Sequence, residues 1–309
     1  MLTSKIPLHN TKNKVEGVVG MTLDITEQKE AEEEARQANE KLQKQNQQLE
    51  TELQVARQLQ ETLMASGFDD EPRYSVSCDE WSFEASYLYS PSHHLAGDFF
   101  YIIPISKDKV GILVCDVMGH GVKASLVTML IRGLLLEIPT ALSSPARVLR
   151  HLNDKIIPLA DDANFPRFVT AVYTVFNLSK GEIMIANAGH PEPLWYVRDE
   201  QGNHFEGCPV REMGPALGMF PDEKFRATKH KLDQMTELLF FTDGLIEQKQ
   251  CDGQEWGVDN LVQTVERVKD EPLSAQLKLV TEALHTACES DHLDDDVCLV
   301  AIRVQPNNS

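Results

Sequence analysis

The chain has 309 residues, more than one average domain, and 42% of them are apolar, enough for a sizeable core. Its 29 Lys and Arg against 48 Asp and Glu give a net charge of −19, which repels nucleic acid and anionic lipid and argues against both as partners. The six cysteines form no CxxC pair, no segment reads as a signal peptide, and no apolar run is long enough to span a bilayer; the expectation is a cytoplasmic protein in a reducing compartment.

Residues 1–27 read as a short β-hairpin with its turn at 10–14. A lone hairpin is marginal in water, so this segment is expected to lean on other structure. The stretch GVVGMTLDITEQKEAEE resembles the C-terminal end of a PAS sensor domain, where a last strand runs through Asp-Ile-Thr into a helix. From Thr26 to about residue 65 there is no Gly or Pro, and strong helix formers dominate. Thr26 is the expected N-cap. Ala35, Leu42, Leu49, Ala56 and Leu63 fall seven apart, with a polar middle at Gln45 and Glu52. This pattern predicts a parallel coiled-coil homodimer of modest stability, an N-terminal long helix suited to passing a signal between modules.

An acidic, turn-like stretch at 68–74 marks a boundary, giving a hairpin fragment at 1–27, a helical linker at 28–66 and one globular domain at 67–309. Within that domain strands are expected at 81–89, 99–105, 111–116, 168–178, 182–189, 194–197, 237–244 and 297–304. Helices are expected at 122–137, apolar on most faces and therefore buried, and at 145–158, 259–268 and 273–289. Hairpin-connected strands with helices grouped between them predict an α+β fold with layered antiparallel sheets.

Acidic residues recur at the strand edges. Asp116 and Asp243 end apolar strands, Asp98 precedes FFYIIPI, and Asp294, Asp295 and Asp296 precede VCLVAIRV. The end of one antiparallel strand lies beside the start of its neighbour, so all four positions should reach one sheet edge. Four carboxylates gathered there cannot all stay ionised without cations. Oxygen-only ligands suit Mg²⁺ or Mn²⁺, and two such ions form a hydrolytic phosphoryl-transfer site. Taken singly, each Asp reads better as a turn or cap residue than as a ligand.

AGDFFY, DVMGHG, NAGHPEP, TDGLIE and DDDVCLV occur in the order of the PPM-type metal-dependent Ser/Thr phosphatases, in their SpoIIE/RsbU-like bacterial branch, which residues 56–305 resemble. The resemblance implies an αββα sandwich of two antiparallel sheets flanked by helices, with two Mn²⁺ or Mg²⁺ ions and a metal-activated water. It implies metal ligands at Asp98, Asp116, the Val117 carbonyl, Asp243 and Asp295, with Asp296 the alternative to Asp295. The chain departs from the family at Ala96, where a glycine is usual, at Tyr101, where an acid is frequent, and at Cys298, where Thr is frequent. His120 and His190 are candidate substrate-binding residues, although loop support is the better reading for both. The implied substrate is phosphoserine or phosphothreonine on a regulatory protein, a STAS-type anti-anti-sigma factor. The alternative is a catalytically inactive phosphatase-like binding module.

Overall fold

A computed structural model describes all residues except 10, 65–72, 79, 93–94, 120, 161–164, 200–201, 211, 233–235, 289–292 and 308–309. The chain divides into two compact units, Met1–Val55 and Ala56–Ser309. In the first unit, β1 (Leu2–His9) and β2 (Val15–Leu23) pair antiparallel from Leu2↔Leu23 to His9↔Val15. Helix α1 (Thr26–Met64) follows and continues into the second unit. The compact second unit starts inside the helix, at Ala56. The expected Thr26 cap is replaced by Asp24. Its Oδ1 accepts from Thr26 N at 3.0 Å and Thr26 Oγ1 at 2.6 Å, holding the backbone entry to the helix.

The second unit runs through β3 (Arg73–Ser77), β4 (Trp81–Ser90), β5 (Phe99–Ser106), β6 (Lys109–Val117), α2 (Val122–Leu136) and α3 (Pro145–Ala160). It continues with β7 (Val169–Asn177), β8 (Glu182–Ala188), β9 (Leu194–Asp199), β10 (Gly202–Gly207), β11 (Thr228–Lys231) and β12 (Thr236–Phe241). Helices α4 (Asp243–Ile246), α5 (Gly257–Val268) and α6 (Leu273–Cys288) lead to the closing strand β13 (Val297–Pro306). The strands form a six-stranded sheet, β10-β9-β12-β13-β4-β3, and a five-stranded sheet, β11-β8-β7-β6-β5, with every pairing antiparallel.

The strands were legible because they are buried on both faces and read as continuous apolar runs. β12 shows how each face is used. Leu238 and Phe240 enter the core between the sheets, while Leu239 and Phe241 pack under α5 and α6 with Leu261, Val265, Leu277 and Leu284. Between the sheets, Phe83 meets Phe176 edge to face at 5.1 Å, and Tyr87 meets Phe100 at 4.8 Å. On the far side of the five-stranded sheet, α2 and α3 contribute Ile131, Leu135, Val148, Leu152 and Ile156 to the same core. The architecture is the expected αββα sandwich.

Some local expectations fail. α2 is not buried all round, because Val122, Leu126 and Leu136 are exposed. β12 stops at Phe241, and Asp243 opens the one-turn α4 instead of ending the strand. β3 takes residues 73–77 out of the expected boundary turn by pairing with β4, and β10 and β11 form only by pairing with β9 and β8. Tertiary pairing overrides weak local propensity in each case.

Candidate metal centre

The register explains why distant acids meet. β5 and β6 pair Phe99↔Cys115, so Asp98 precedes one strand just where Asp116 ends the other. β12 and β13 pair Phe241↔Leu299, which sets Asp243 beside residues 294–296. Stacking the two sheets brings both pairs to one edge. Two side chains bond across the layers. Thr242 Oγ1 donates to Asp98 Oδ2 at 2.5 Å, and Asp296 Oδ2 accepts from Gly97 N at 2.9 Å.

Close approach depends on two glycines. A Cβ at Gly97 would lie 2.6 Å from the Val117 carbonyl oxygen and 2.8 Å from that of Gly119. A Cβ at Gly244 would lie 2.0 Å from the Asp296 carbonyl oxygen. Neither position accepts a side chain without moving backbone.

The acids divide by role. Asp98 is buried, and its carboxyl is pushed well above the ordinary range, first by burial and then by Asp116; the Thr242 hydrogen bond opposes this. Asp116 is pushed up to about 7, first by burial and then by Asp243, Asp295, Asp296 and Glu247. Asp243 is raised by burial and then by Asp295. Among the described residues, no Lys, Arg or His forms an ion pair with Asp98, Asp116, Asp243 or Asp295. Also among them, no three His, Cys, Asp or Glu side chains close on a common point. The carboxylates are near enough to disfavour one another's charge without touching, as like charges do. An oxygen-only set, desolvated at Asp98, Asp116 and Asp243 and open at Asp295, with two backbone approaches that exclude Cβ, fits hard divalent ions.

Asp296 is occupied differently. Its Oδ1 accepts from Ser92 N at 2.9 Å and Ser92 Oγ at 3.0 Å, and its Oδ2 from Gly97 N. It ties the 92–97 loop to the start of β13. Among the described residues Asp295 Oδ1 accepts from the next residue's N–H, at 2.8 Å, and its charge acts on Asp116 and Asp243. The charges of both residues act on Asp116, and that of Asp296 acts on Asp98 as well; the two differ in that the Asp296 carboxylate is engaged by the 92–97 loop.

The candidate substrate-binding His120 lies outside the described residues. His190 is only 1% exposed and does not reach a substrate surface. Its Nδ1 lies 3.0 Å from Thr170 Oγ1, and Thr170 pairs with Asp116 across β6 and β7. Asn187 closes the NAGH turn with bonds to the His190 N–H and carbonyl at 2.8 and 2.9 Å. Burial depresses the ring to a pKa of about 3 although the Phe241 carbonyl favours its proton. A neutral folded His and an ordinary unfolded one make stability complete above about pH 6.5 and falling as pH drops toward 3. Denaturant unfolding should therefore lose about 2 kcal/mol between pH 7 and 5. His190→Gln should flatten that slope, and an unchanged slope would refute the assignment.

Sequence reading missed the residues that hold the acids. Thr242 orients Asp98 and also accepts from Cys298 N at 3.0 Å. Gln248 Nε2 donates to Gly244 O at 2.9 Å while its Oε1 accepts from Asp294 N at 3.0 Å, joining the Asp243 and Asp295 segments. Gln60, in the last turns of α1, bonds both to Ala96 O at 3.0 Å and, more weakly, to Ala96 N at 3.4 Å, two residues before Asp98. Thr242, which ends the apolar run LLFF, carried a signal, whereas Gln60 and Gln248 lie among other polar residues and carried none. Cys115 and Cys298 are buried, and their thiols stand well above the ordinary range, so neither supplies a nucleophile. The cavity of about 780 Å³ lined by Glu84, Ser86, Ser274, Lys278 and Arg303 includes none of these acids.

Comparison with known proteins agrees with this architecture. The family described as Stage II sporulation protein E (SpoIIE) matches residues 106–305. The chain is 26% identical over 256 residues to the Bacillus subtilis phosphoserine phosphatase RsbP, covering 82% of this chain and 58% of that protein. It is 22% identical over 252 residues to B. subtilis phosphoserine phosphatase RsbU, covering 76% and 70%. The solved SiaA-PP2C domain of Pseudomonas aeruginosa superimposes with a TM-score of 0.66 at 19% identity, over 84% of this chain and 98% of that one. The chain thus spans little more than half the length of RsbP. The match extends over most of the second unit: this chain belongs to the SpoIIE family.

Proposed function

We propose that the protein is a Mn²⁺- or Mg²⁺-dependent protein phosphatase that hydrolyses phosphoserine or phosphothreonine on a regulatory protein. The observation that carries this reading is the convergence of a buried Asp98, half-buried Asp116 and Asp243 and an exposed Asp295, with no ion-paired protein cation among the described residues. Two divalent ions held there, with the Val117 carbonyl as a further donor, would activate water and neutralise the phosphoryl oxygens. The chain supplies rigidity. Thr242 fixes the Asp98 carboxylate, Asp296 fixes the 92–97 loop, and Gln248 fixes the two acidic segments against each other. Strand ends hold such positions more tightly than free loops do. The test is phosphate release, with Mn²⁺, from a phosphoserine-bearing STAS-type protein; no release from any phosphoserine protein or peptide offered would refute the reading.

The hairpin is read as a PAS-like fragment and α1 as a coiled-coil linker in a cytoplasmic homodimer. Leu42, Leu49 and Leu59 are exposed on the single chain, as seam residues awaiting a partner helix would be. No described helix is long and apolar enough to cross a membrane. Within the second unit, the end of α1 touches the site's scaffold. Gln60 is bonded to Ala96 and lies 3.3 Å from Thr128 Oγ1, and Arg132 of α2 donates to Leu63 O while its guanidinium sits 4.7 Å over the Tyr101 ring. A shift of this helix end would be felt at Asp98. Gln60→Ala is expected to cost about 2 kcal/mol by leaving the Ala96 groups unpaired. It should also lower kcat about tenfold, measured by unfolding and phosphate release on one preparation; full kcat would break the link between helix and site. Interrupting the heptad at Leu42 and Leu49 should alter dimerisation and turnover without altering the fold.

A further inference from the structure

The 250–254 turn carries a cysteine against the end of α6. Gln250 N bonds to Gln254 O at 2.8 Å, and Gly253 turns the chain at φ +83°. This turn presents Cys251 to the last carbonyls of α6. Cys251 N and Sγ approach Ala287 O at 3.4 and 3.3 Å. Ala287 O belongs to the peptide group leading directly to Cys288. Standard bond lengths then place the two cysteine Cα atoms no more than about 8 Å apart. Disulfides span about 4.4–6.8 Å, so a small adjustment of an exposed turn brings the sulfurs into bonding range. Cys251 is exposed and Cys288 half-buried; Cys115, Cys208 and Cys298 are buried, and Cys78 is half-buried in a different part of the chain, before β4. The Cys288 thiol is raised by burial and then by the neighbouring Cys251 and Asp294, and the more exposed Cys251 meets a dissolved oxidant first.

We propose that Cys251 and Cys288 form a dithiol modification site that a hydroperoxide converts to an intrachain disulfide. Cys251 thiolate attacks the peroxide oxygen and becomes a sulfenic acid as the alcohol or water leaves. Cys288 thiolate then attacks the sulfenyl sulfur and water leaves, so two thiols and one hydroperoxide give one disulfide, one alcohol or water, and one water. The cross-link would fasten the turn three residues beyond Gln248 to the segment leading into Asp294 and Asp295, both adjoining the acid cluster.

The full chain is treated with tert-butyl hydroperoxide, alkylated and digested with trypsin and a glutamate-specific protease, which cuts at Glu289 and separates Cys288 from Cys298. The expected result is one peptide pair joined through Cys251 and Cys288, loss of two thiols per chain, and an unfolding midpoint raised by about 5 °C and restored by dithiothreitol. Cys251→Ser and Cys288→Ser should each abolish the linked pair. Separate oxidation of the two cysteines, a disulfide between two chains, or no reaction at either thiol would each overturn the proposal.

Discussion

Replacing Asp243 by Ala is expected to lower metal-dependent phosphate release by about 10³-fold or more while leaving the fold intact. Asp243 opens α4 and, among the described residues, accepts from local backbone N–H groups, its own and that of Gly244 at 2.9 Å. Its removal therefore breaks no tertiary hydrogen bond. It also relieves charge repulsion, because Asp116 is held up by Asp243 next after burial. In the absence of metal the variant should unfold at the same temperature as the parent or slightly higher. With Mn²⁺ the order should reverse, since ions that bind only the folded chain raise its midpoint. A variant that loses activity and also loses metal-free stability would mark Asp243 as a structural residue. A variant that keeps activity would remove it from the site.

The second large effect belongs to a residue with no side chain. Gly244→Ala puts a Cβ about 2.0 Å from the Asp296 carbonyl and 3.3 Å from the Asp295 Cβ. Both neighbours lie on the backbone leading into β13, which is paired on both edges, so neither yields cheaply. Overpacking of this kind costs about 3 kcal/mol or more. Any relaxation must push α4 away from residues 295–296 and separate Asp243 from Asp295. A displacement near 1 Å at a reacting centre lowers rates by about 10²-fold. Unfolding, Mn²⁺ titration and turnover on the same sample should all fall together. Normal turnover with normal stability would mean that the close approach of α4 to β13 has no part in the site.

These two residues show what was readable beforehand. Asp98, Asp116, Asp243 and the 294–296 run stand at or just beyond the ends of apolar strands, so antiparallel pairing predicts the two pairs, and stacking of the two sheets joins them. The sandwich itself was legible because both faces of its strands are apolar. Asp295 and Asp296 were not separable, since both precede the same strand by one or two residues; only the partners Ser92 and Gly97 distinguish them. Thr242, Gln248 and Gln60 escaped notice for a related reason. Each is a common polar residue whose meaning lies in a partner supplied by a distant or unpatterned segment. His190 was placed at a pocket edge from its motif, but the turn closed by Asn187 rotates it into the core against Thr170. The exposed Leu126 and Leu136 of α2 show the converse limit, because an apolar run does not state which of its faces will be covered.

The central claim is that Asp98, Asp116, Asp243 and Asp295 act as one divalent-metal site. Anomalous diffraction from crystals grown with Mn²⁺ tests it most directly. The account predicts two peaks about 3.5–4 Å apart among these four carboxylates, both lost in the Asp243→Ala protein. Peaks placed elsewhere, or no peak at saturating Mn²⁺, would contradict it.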